Sequence, residues 1–429
     1  MLEMQIVRDQ KERVVAGFRK RGFTEERIAL VDRVIKLDDD RKDVQTQLDS
    51  LLNERNKLSD EIGVLYKQGK GAEANQLKLK VQAIKDTAEA MESRLQGIRT
   101  DLESILVTLP NVPHVTVPEG RTPEDNKVHK AWTGEFPKLP DGSVPHWELA
   151  DRYNLIDFKL GVLLTGSGFP VFRGKGARLQ RGLVSYFLDQ ARNAGYEEIQ
   201  PPLMVNAETA YGTGQLPDKE GQMYYVEKDE LYLIPTAEVP VTNLYRNQII
   251  PESDLPVKLT GYTPCFRREA GSYGADVKGL NRVHQFDKVE IVQIGHPSTS
   301  YEALQGMVDH VAMLMDSLEL PYRILHLCGG DMGFTSALTY DFEVWAAGQE
   351  KWLEVSSVSN FETFQSNRLK MRYRDEKGKI QLVHTLNGSA LALARIVAAI
   401  LENNQTTDGI KLPKVLVPYT GFEWIGEKE

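Results

Sequence analysis

An arginine and a glutamate two positions apart, followed by glycines, form the first candidate site in this 429-residue chain. In Thr263-Pro-Cys-Phe-Arg-Arg-Glu-Ala-Gly-Ser272, Arg267 and Glu269 alternate, so in a strand they point to one face. The guanidinium of such a pair can bind a triphosphate, and its carboxylate can bind an amino group. The glycine-rich connection Gly271–Gly279 predicts a loop that closes over a ligand.

A second predicted strand follows this loop and carries charged and aromatic residues on one face. The residues of equal parity are Arg282, His284, Phe286 and Glu290. An exposed charged hairpin is the structural alternative. A sheet face with this many charges is costly unless a ligand pairs with it, so we favour a binding site.

A third cluster is Thr385-Leu-Asn-Gly-Ser-Ala-Leu-Ala-Leu-Ala-Arg395. It predicts a turn at Asn387-Gly388 that leads into an alanine-rich helix, with Ser389 near the start of the helix and Arg395 about two turns in. An arginine among alanines and leucines is either a buried structural ion pair or a phosphate ligand, and the pattern favours neither.

Two shorter clusters place a carboxylate beside small hydroxyl groups at predicted strand ends. They are Ile234-Pro-Thr-Ala-Glu-Val-Pro240 and Trp352-Leu-Glu-Val-Ser-Ser357. Both suit an amine or a divalent cation. A capping interaction at the strand end is the structural alternative for the second cluster.

Short runs of β-branched and aromatic residues predict the strands that position these groups. They are 197–200, 231–234, 289–293 and 352–355, and the flanking predicted helices are 182–192, 301–318 and 389–402. Their alternation of polar and apolar residues favours an antiparallel sheet with one buried face and one working face.

The first ~110 residues predict a separate helical hairpin. Apolar residues recur at alternating steps of three and four from Val34 to Leu65 and from Leu77 to Ile105, which is typical of a coiled coil. Arg41 and Arg55 interrupt the first stripe. The short polar turn Lys67–Gly71 requires the two helices to run antiparallel. We name residues 34–106 the arm.

The tip of the arm is locally basic. Between residues 55 and 85, seven basic residues oppose three acidic ones, whereas Asp38, Asp39, Asp40 and Asp43 lie at the base. A solvated coiled coil explains these lysines as well as a tip that contacts phosphates does.

Composition limits the class of protein. With 41% hydrophobic and 26% charged residues, the chain is expected to fold into two or three domains. We expect no membrane span, since no apolar run approaches ~18 residues. We expect no secretory signal either, because residues 1–20 alternate charged with apolar residues and have no continuous apolar segment. Cys265 and Cys328 are too few for a zinc site or a disulfide scaffold, which indicates a cytoplasmic protein. The net charge of −9 does not favour nucleic-acid binding by the protein as a whole, so nucleic-acid binding would depend on local clusters of basic residues.

We predict three segments along the chain. Residues 1–110 form an N-terminal domain with the arm, and residues 111–120 form a proline-containing linker. Residues 121–429 form an α+β domain on a mostly antiparallel sheet flanked by helices.

Together the clusters resemble the class II aminoacyl-tRNA synthetases. Phe266-Arg-Arg-Glu269 with Arg282-Val-His-Gln-Phe286 is similar to motif 2, and Gly388–Arg395 is similar to motif 3. Gly195-Tyr-Glu-Glu-Ile-Gln-Pro-Pro202 is similar to the end of motif 1. With the Thr236–Glu238 segment and the arm, the order resembles the bacterial-type seryl-tRNA synthetases over essentially the whole chain.

The resemblance implies serine activation by ATP and transfer to the 3'-terminal adenosine of tRNA(Ser), with tRNA(Sec) as a second expected substrate. The implied ATP site is Arg267, Arg268, Glu269, Arg282, Val283, Phe286, Glu354, Val355, Ser356, Ser357 and Arg395. The implied serine site is Thr236, Ala237, Glu238, Arg267, Glu290, Asn387 and Ser389. Arg267 and Arg395 are the expected catalytic residues.

The resemblance also implies Mg²⁺ on Glu354 and Ser357, no zinc, and a homodimer on a six- to seven-stranded sheet. The arm is then expected to reach the long variable arm of the tRNA through Arg55, Lys57, Lys78 and Lys80. Arg268 and Ala390 depart from the small residue and the glycine that are usual in the family, and neither departure puts the activity in doubt.

Two alternatives belong to other classes. A ligase that loads an amino acid onto a carrier protein uses the same adenylate chemistry but lacks the arm. A non-catalytic coiled-coil paralogue would have lost Arg267, Glu269 or Arg395, and all three are present.

Overall fold

The structure is a computed structural model that describes residues 1–218, 221–268 and 277–426. The described helices are α1 Met4–Asp9, α2 Lys11–Lys20, α3 Glu25–Ile28, α4 Leu30–Lys67, α5 Gly71–Leu106, α6 His146–Arg152, α7 Phe158–Leu164, α8 Gly174–Asn193, α9 Ala207–Thr213, α10 Glu238–Thr242, α11 Ser300–Ser317, α12 Phe364–Leu369, α13 Leu393–Asn403 and α14 Val417–Thr420. The described strands are β1 Lys127–Lys130, β2 Ile156–Asp157, β3 Val171–Phe172, β4 Glu197–Glu198, β5 Met204–Val205, β6 Tyr225–Val226, β7 Leu231–Leu233, β8 Ile249–Pro251, β9 Val257–Phe266, β10 Gln285–Gly295, β11 Tyr322–His326, β12 Leu338–Ala346, β13 Lys351–Asn360, β14 Arg372–Arg374, β15 Ile380–Leu382, β16 His384–Ala392, β17 Gln405–Thr406, β18 Gly409–Lys411 and β19 Trp424–Gly426.

The chain divides into two compact units. The N-terminal unit comprises Met1–Arg19 with Phe23–Pro110, and the C-terminal unit comprises Lys20–Gly22 with Asn111–Glu429.

The N-terminal unit contains the antiparallel helical arm, so that prediction is confirmed. Its two helices, α4 and α5, are joined by residues 68–70. Val44 and Leu48 on α4 pack with Ala88 and Leu95 on α5 as a buried cluster, at the spacing that the heptad pattern requires.

The base of the arm contains a buried carboxylate. Asp38 is 2% exposed and lies 2.6 Å from Arg8, 2.7 Å from Arg41 and 3.0 Å from Lys42. Burial alone would raise the pKa of Asp38, but hydrogen bonds from these three cations lower it to about 2. The arginine that interrupts the apolar stripe at position 41 therefore has a structural partner.

The C-terminal unit is built on an eight-stranded sheet in the order β1-β11-β12-β13-β16-β10-β9-β4. Every neighbouring pair is antiparallel except β4 with β9. The mostly antiparallel fold is confirmed. The sheet exceeds the six to seven strands that the resemblance implied, since short strands occupy both edges.

Alternation along β10 separates the core from a polar face. Val289 and Ile291 enter the main hydrophobic core, which also includes residues of α8, α11 and α13. Lys288 and Glu290, at the intervening positions, line a cavity instead. The polar groups of this strand therefore face the cavity, and the packed core on the opposite face of the strand holds them in place.

Predictions of local structure were wrong in two segments. In the first, the turn predicted at Asn387-Gly388 lies inside β16, and the helix predicted for residues 389–402 begins later, because β16 continues to Ala392 and α13 spans Leu393–Asn403. Pairing of β16 with both β10 and β13 holds Ser389 in the strand and overrides the helix propensity of its alanines and leucines. Arg395 accordingly lies in the first turn of α13.

The second wrong prediction placed Glu354 and Ser357 at a strand end. Both lie inside β13, which continues to Asn360. Ser356 pairs with Phe342, but Glu354 pairs with Glu343, so Val355 is an extra residue in the ladder. This β-bulge, rather than a turn, brings the two side chains together.

Candidate active site

A cavity of about 620 Å³ opens on the polar face of the eight-stranded sheet. It is lined by fourteen of the predicted site residues: Thr236, Glu238, Arg267, Arg282, Val283, Phe286, Glu290, Glu354, Val355, Ser356, Ser357, Asn387, Ser389 and Arg395. Residues that are up to about 160 positions apart in the chain are therefore neighbours in one site.

Two predicted residues are placed differently, and the structure does not describe a third. Ala237 is fully buried and is not among the cavity-lining residues that the structure describes. The guanidinium of Arg268 lies 5.8 Å from the centre of the Tyr224 ring and is likewise absent from the described lining. Glu269 lies outside the described residues, as do residues 271–276 of the predicted glycine-rich loop.

Glu290 is the most heavily bonded carboxylate of the cavity. It is 1% exposed and lies 2.6 Å from the ammonium of Lys288. Asn387 donates to Glu290 Oε1 at 3.0 Å, and the hydroxyl of Thr236 donates to Oε2 at 3.2 Å. These three donors fix the orientation of the carboxylate, which is suited to recognise a further hydroxyl group.

Glu238, at the start of α10, forms the second carboxylate of this region. Its backbone N–H donates to the hydroxyl of Thr236 at 3.3 Å. Burial, reinforced by the negative charge of Glu290, raises the pKa of the Glu238 carboxyl to about 7. A cation that enters the cavity would offset this repulsion, so the pair suits an ammonium group.

Arg267 follows directly after β9 and lines the same cavity as this carboxylate pair, and its positive charge acts to lower the pKa of Glu238. Its Nε donates to the carbonyl of Pro235 at 3.4 Å, and its guanidinium lies 5.3 Å from the centre of the Phe286 ring. The aromatic ring and the guanidinium are thus adjacent, an arrangement that suits a planar base beside a phosphate chain.

Among the residues that the structure describes, Arg395 is held by backbone carbonyl groups and by no carboxylate. Its Nε donates to Asn281 O at 3.0 Å, and Nη1 donates to Glu354 O at 2.6 Å. The sequence left open whether Arg395 forms a structural ion pair or binds a phosphate. Since carbonyl oxygens leave the positive charge uncompensated, this geometry favours an anionic ligand.

Glu354 and Ser357 supply hard oxygen atoms to the cavity. The Ser357 hydroxyl lies 3.5 Å from Glu354 Oε1. On the neighbouring strand, Asp341 Oδ1 is buried without a hydrogen-bond partner among the described residues. Burial and the charge of Glu354 raise the pKa of Asp341 well above its usual range. A divalent cation would relieve this repulsion, so the oxygen atoms fit Mg²⁺.

Within residues 1–218, 221–268 and 277–426, no three His, Cys, Asp or Glu side chains group as a metal site. Cys265 and Cys328 are both buried and free. In the same ranges, no helix combines the length and the apolar character needed to cross a bilayer.

Sequence reasoning missed three charged residues that line the cavity, Lys288, Asp331 and Asp341. Lys288 has the same parity as Phe286 and Glu290 in β10, so alternation was a sufficient signal for it. Asp341 is opposite Ser357 in the sheet, a pairing that no local pattern indicates.

The four predicted tRNA-contacting residues lie in the N-terminal unit. Lys57, Lys78 and Lys80 are exposed, and Arg55 is half-buried. The ammonium of Lys78 lies 4.8 Å from the centre of the exposed Tyr66 ring. The tip therefore presents cations and an aromatic ring to solvent.

Family comparisons agree with this arrangement of a helical arm and a polar sheet face. The family described as "tRNA synthetase class II core domain (G, H, P, S and T)" matches residues 224–404. The family described as "Seryl-tRNA synthetase N-terminal domain" matches residues 1–113. The chain thus has the fold of a class II aminoacyl-tRNA synthetase.

Full-length relatives narrow the assignment. The chain is 51% identical to the serine–tRNA ligase of Salinibacter ruber over 428 residues, covering 99% of each chain. It is 44% identical to that of Prosthecochloris aestuarii, covering 100% of this chain and 99% of the relative. The seryl-tRNA synthetase of Pyrococcus horikoshii, solved with ATP, superposes with a TM-score of 0.91 at 35% identity over 100% of both chains. The chain belongs to the serine–tRNA ligase family.

Proposed function

We propose that this enzyme activates L-serine with ATP to seryl-adenylate and transfers the seryl group to the 3'-terminal adenosine of tRNA(Ser). The observation that carries the proposal is the position of Arg267 beside the buried carboxylates Glu238 and Glu290 in one cavity. ATP in the Pyrococcus horikoshii structure and AMP in the Naegleria fowleri serine–tRNA ligase structure support a nucleotide site.

In the first step, an oxygen of the serine carboxylate attacks the α-phosphorus of ATP, and pyrophosphate leaves with the electrons of the broken P–O bond. No side chain has to remove a proton, because the carboxylate is already the nucleophile. Arg267 binds the serine carboxylate and the α-phosphate, where negative charge gathers. Catalysis then consists of positioning and electrostatic stabilisation.

ATP is held by groups on both sides of the cavity. Phe286 stacks on one face of the adenine and Arg395 on the other, and Glu269 accepts from the adenine amino group. Arg282 pairs with the outer phosphates. Glu354 and Ser357 would hold Mg²⁺, which supplies charge neutralisation of the phosphates when bound.

Serine is recognised by the two buried carboxylates, Glu238 and Glu290, and by the hydroxyl groups beside them. Thr236 and Glu238 bind its ammonium, and Glu290 with Ser389 receives its hydroxyl. A site that is built to bind a hydroxyl rejects alanine, because its buried polar groups would stay unpaired. Zinc has no part in this recognition.

In the second step a ribose hydroxyl of the 3'-terminal adenosine attacks the carbonyl carbon of seryl-adenylate. The seryl group passes to the tRNA as an ester, and AMP leaves with the electrons of the broken C–O bond while the hydroxyl proton is released. We assign residues 1–110 to tRNA binding, 111–120 to the linker and 121–429 to catalysis. The family resemblance supports a cytoplasmic homodimer that serves tRNA(Ser) and also tRNA(Sec).

ATP–pyrophosphate exchange with each of the twenty amino acids tests the proposal. Serine should stimulate exchange far above the others. If a different amino acid drives exchange best, the substrate assignment is wrong. A separate charging assay tests the acceptor: transfer of serine to a carrier protein instead of tRNA(Ser) would favour the amino-acid ligase that loads a carrier protein.

Replacing Glu354 by alanine should weaken ATP binding and leave serine binding nearly unchanged. The variant loses a carboxylate from the proposed magnesium site, whereas Thr236 and Glu238 are untouched. We expect KM for ATP to rise about tenfold or more, with partial recovery on added Mg²⁺ or Mn²⁺. Loss of serine binding with unchanged ATP affinity would place Glu354 in the amino-acid pocket.

The affinity for serine should rise with pH. A Glu238 pKa of about 7 means that the carboxyl is mostly protonated below that pH and ionised above it, whereas the serine ammonium stays charged. We expect kcat/KM for serine to increase about tenfold between about pH 6 and about pH 8. Glu238→Gln should lose this rise as well as affinity, and an unchanged rise in that variant would assign the titration to another group.

A further inference from the structure

Behind the serine pocket, helix α12 places a buried amide against Glu238. Gln365 is 1% exposed, and its Nε2 donates to Glu238 Oε1 at 2.6 Å. The same Nε2 donates to the carbonyl of Thr213 at 3.2 Å. Both N–H bonds of the amide are therefore used, one of them on the carboxylate.

A hydroxyl group fixes the orientation of this amide. Thr385 is fully buried, and its Oγ1 donates to Gln365 Oε1 at 2.7 Å. With the oxygen of the amide held by Thr385, its nitrogen must face Glu238. The chain Thr385–Gln365–Glu238 thus has one direction of donation, which ends on a carboxylate oxygen.

We propose that Gln365 is a positioning residue of the serine site, which holds the Glu238 carboxylate ionised and directed at the substrate ammonium. This inference rests on the proposed function, in which Glu238 binds that ammonium. Gln365 is not among the described residues that line the cavity, so it acts through Glu238 and not on serine itself.

The surroundings of Glu238 explain why a neutral donor is needed there. Glu290 on β10 opposes ionisation of Glu238, whereas Lys288 on β10 and Arg267 after β9 favour it. The ammonium of Lys288 lies 2.6 Å from Glu290 and is thus committed to the other carboxylate. The hydrogen bond from Gln365 stabilises the charged form of Glu238 without adding a further charge.

The test compares Gln365→Met, which keeps the length of the side chain but removes the donor, with the wild-type enzyme. ATP–pyrophosphate exchange is measured from about pH 5.5 to about pH 9, varying serine and ATP separately. We expect KM for serine at about pH 7.5 to rise about tenfold, as for loss of a hydrogen bond to a charged group. The midpoint of kcat/KM for serine should move to higher pH, and KM for ATP should stay within about twofold.

Thr385→Val is a second, nearly isosteric test that frees the amide without removing it. It should move the pH midpoint of kcat/KM for serine in the same direction by a smaller amount. If Gln365→Met does not fold, this shift alone tests the role of Gln365. Ser366→Ala is the matched control, because it removes a buried 2.6 Å hydrogen bond of the same helix, to Val383 O. Its pH midpoint should equal that of the wild type.

Two results would overturn the inference. In the first, Gln365→Met and Thr385→Val keep the wild-type midpoint and affinity for serine. In the second, they raise KM for serine and for ATP together at an unchanged midpoint, which would give α12 a structural role only. A wild-type enzyme without serine-dependent exchange would instead overturn the proposed function itself, a result distinct from both.

Discussion

Serine-dependent ATP–pyrophosphate exchange should fall by about 10²–10³-fold when Arg267 is replaced by alanine. The guanidinium is adjacent to the Phe286 ring and to the carboxylate pair, where the α-phosphate and the serine carboxylate would meet. In the proposed mechanism it stabilises charge that develops in the transition state without having to reorganise. The loss should therefore appear in kcat as well as in kcat/KM.

Two further variants make this result specific. Arg267→Lys keeps the charge but not the planar fork, so its activity should lie between those of wild type and alanine. Arg246→Ala removes an arginine that bonds Thr209 at 3.2 Å, outside the described lining of the cavity, and should stay within about twofold of wild type. Near wild-type exchange in Arg267→Ala would remove Arg267 from the mechanism.

The parts of the fold that could be predicted from the sequence are those that follow a repeating pattern of apolar residues. The heptads of α4 and α5 place Val44, Leu48, Ala88 and Leu95 in one buried cluster. Alternation in β10 likewise puts Glu290 on the polar face and Val289 in the core. A periodic pattern predicts a face because each repeat reinforces the same geometry.

The parts that were missed depend on contacts between distant segments. An extra residue at Val355 re-aims Glu354, and this becomes visible only when β13 is paired with β12. Pairing on both sides keeps Ser389 in β16 although its neighbours favour a helix. Gln365 reaches Glu238 across 127 positions, and no local motif marks it. Tertiary contacts override local propensity at these places.

Shortening the arm should abolish charging of tRNA(Ser) and leave serine activation largely intact. Deleting residues 57–85 and joining the helices by a short turn removes every basic residue of the tip except Arg55 and keeps the buried cluster of Val44, Leu48, Ala88 and Leu95. The rest of the arm therefore retains its own core. We expect pyrophosphate exchange within about threefold of wild type and aminoacylation lower by ~10²-fold or more, because phosphate contacts supply much of the affinity for a nucleic acid.

A variant that changes only charge distinguishes the phosphate contacts of the lysines from the effect of the length of the arm. Replacing Lys57, Lys78 and Lys80 by glutamine should weaken tRNA binding and flatten its salt dependence, by about 0.7 to 0.9 in log–log slope for each lost phosphate contact. The matched control replaces three exposed cations nearer the base, Arg33, Lys36 and Arg94, and should keep the wild-type slope. Equal effects of the two triple variants would mean that overall charge, and not the tip, attracts the tRNA. Efficient charging by the shortened enzyme would make the arm a structural element only, since neither its length nor its lysines would then be needed to hold the tRNA.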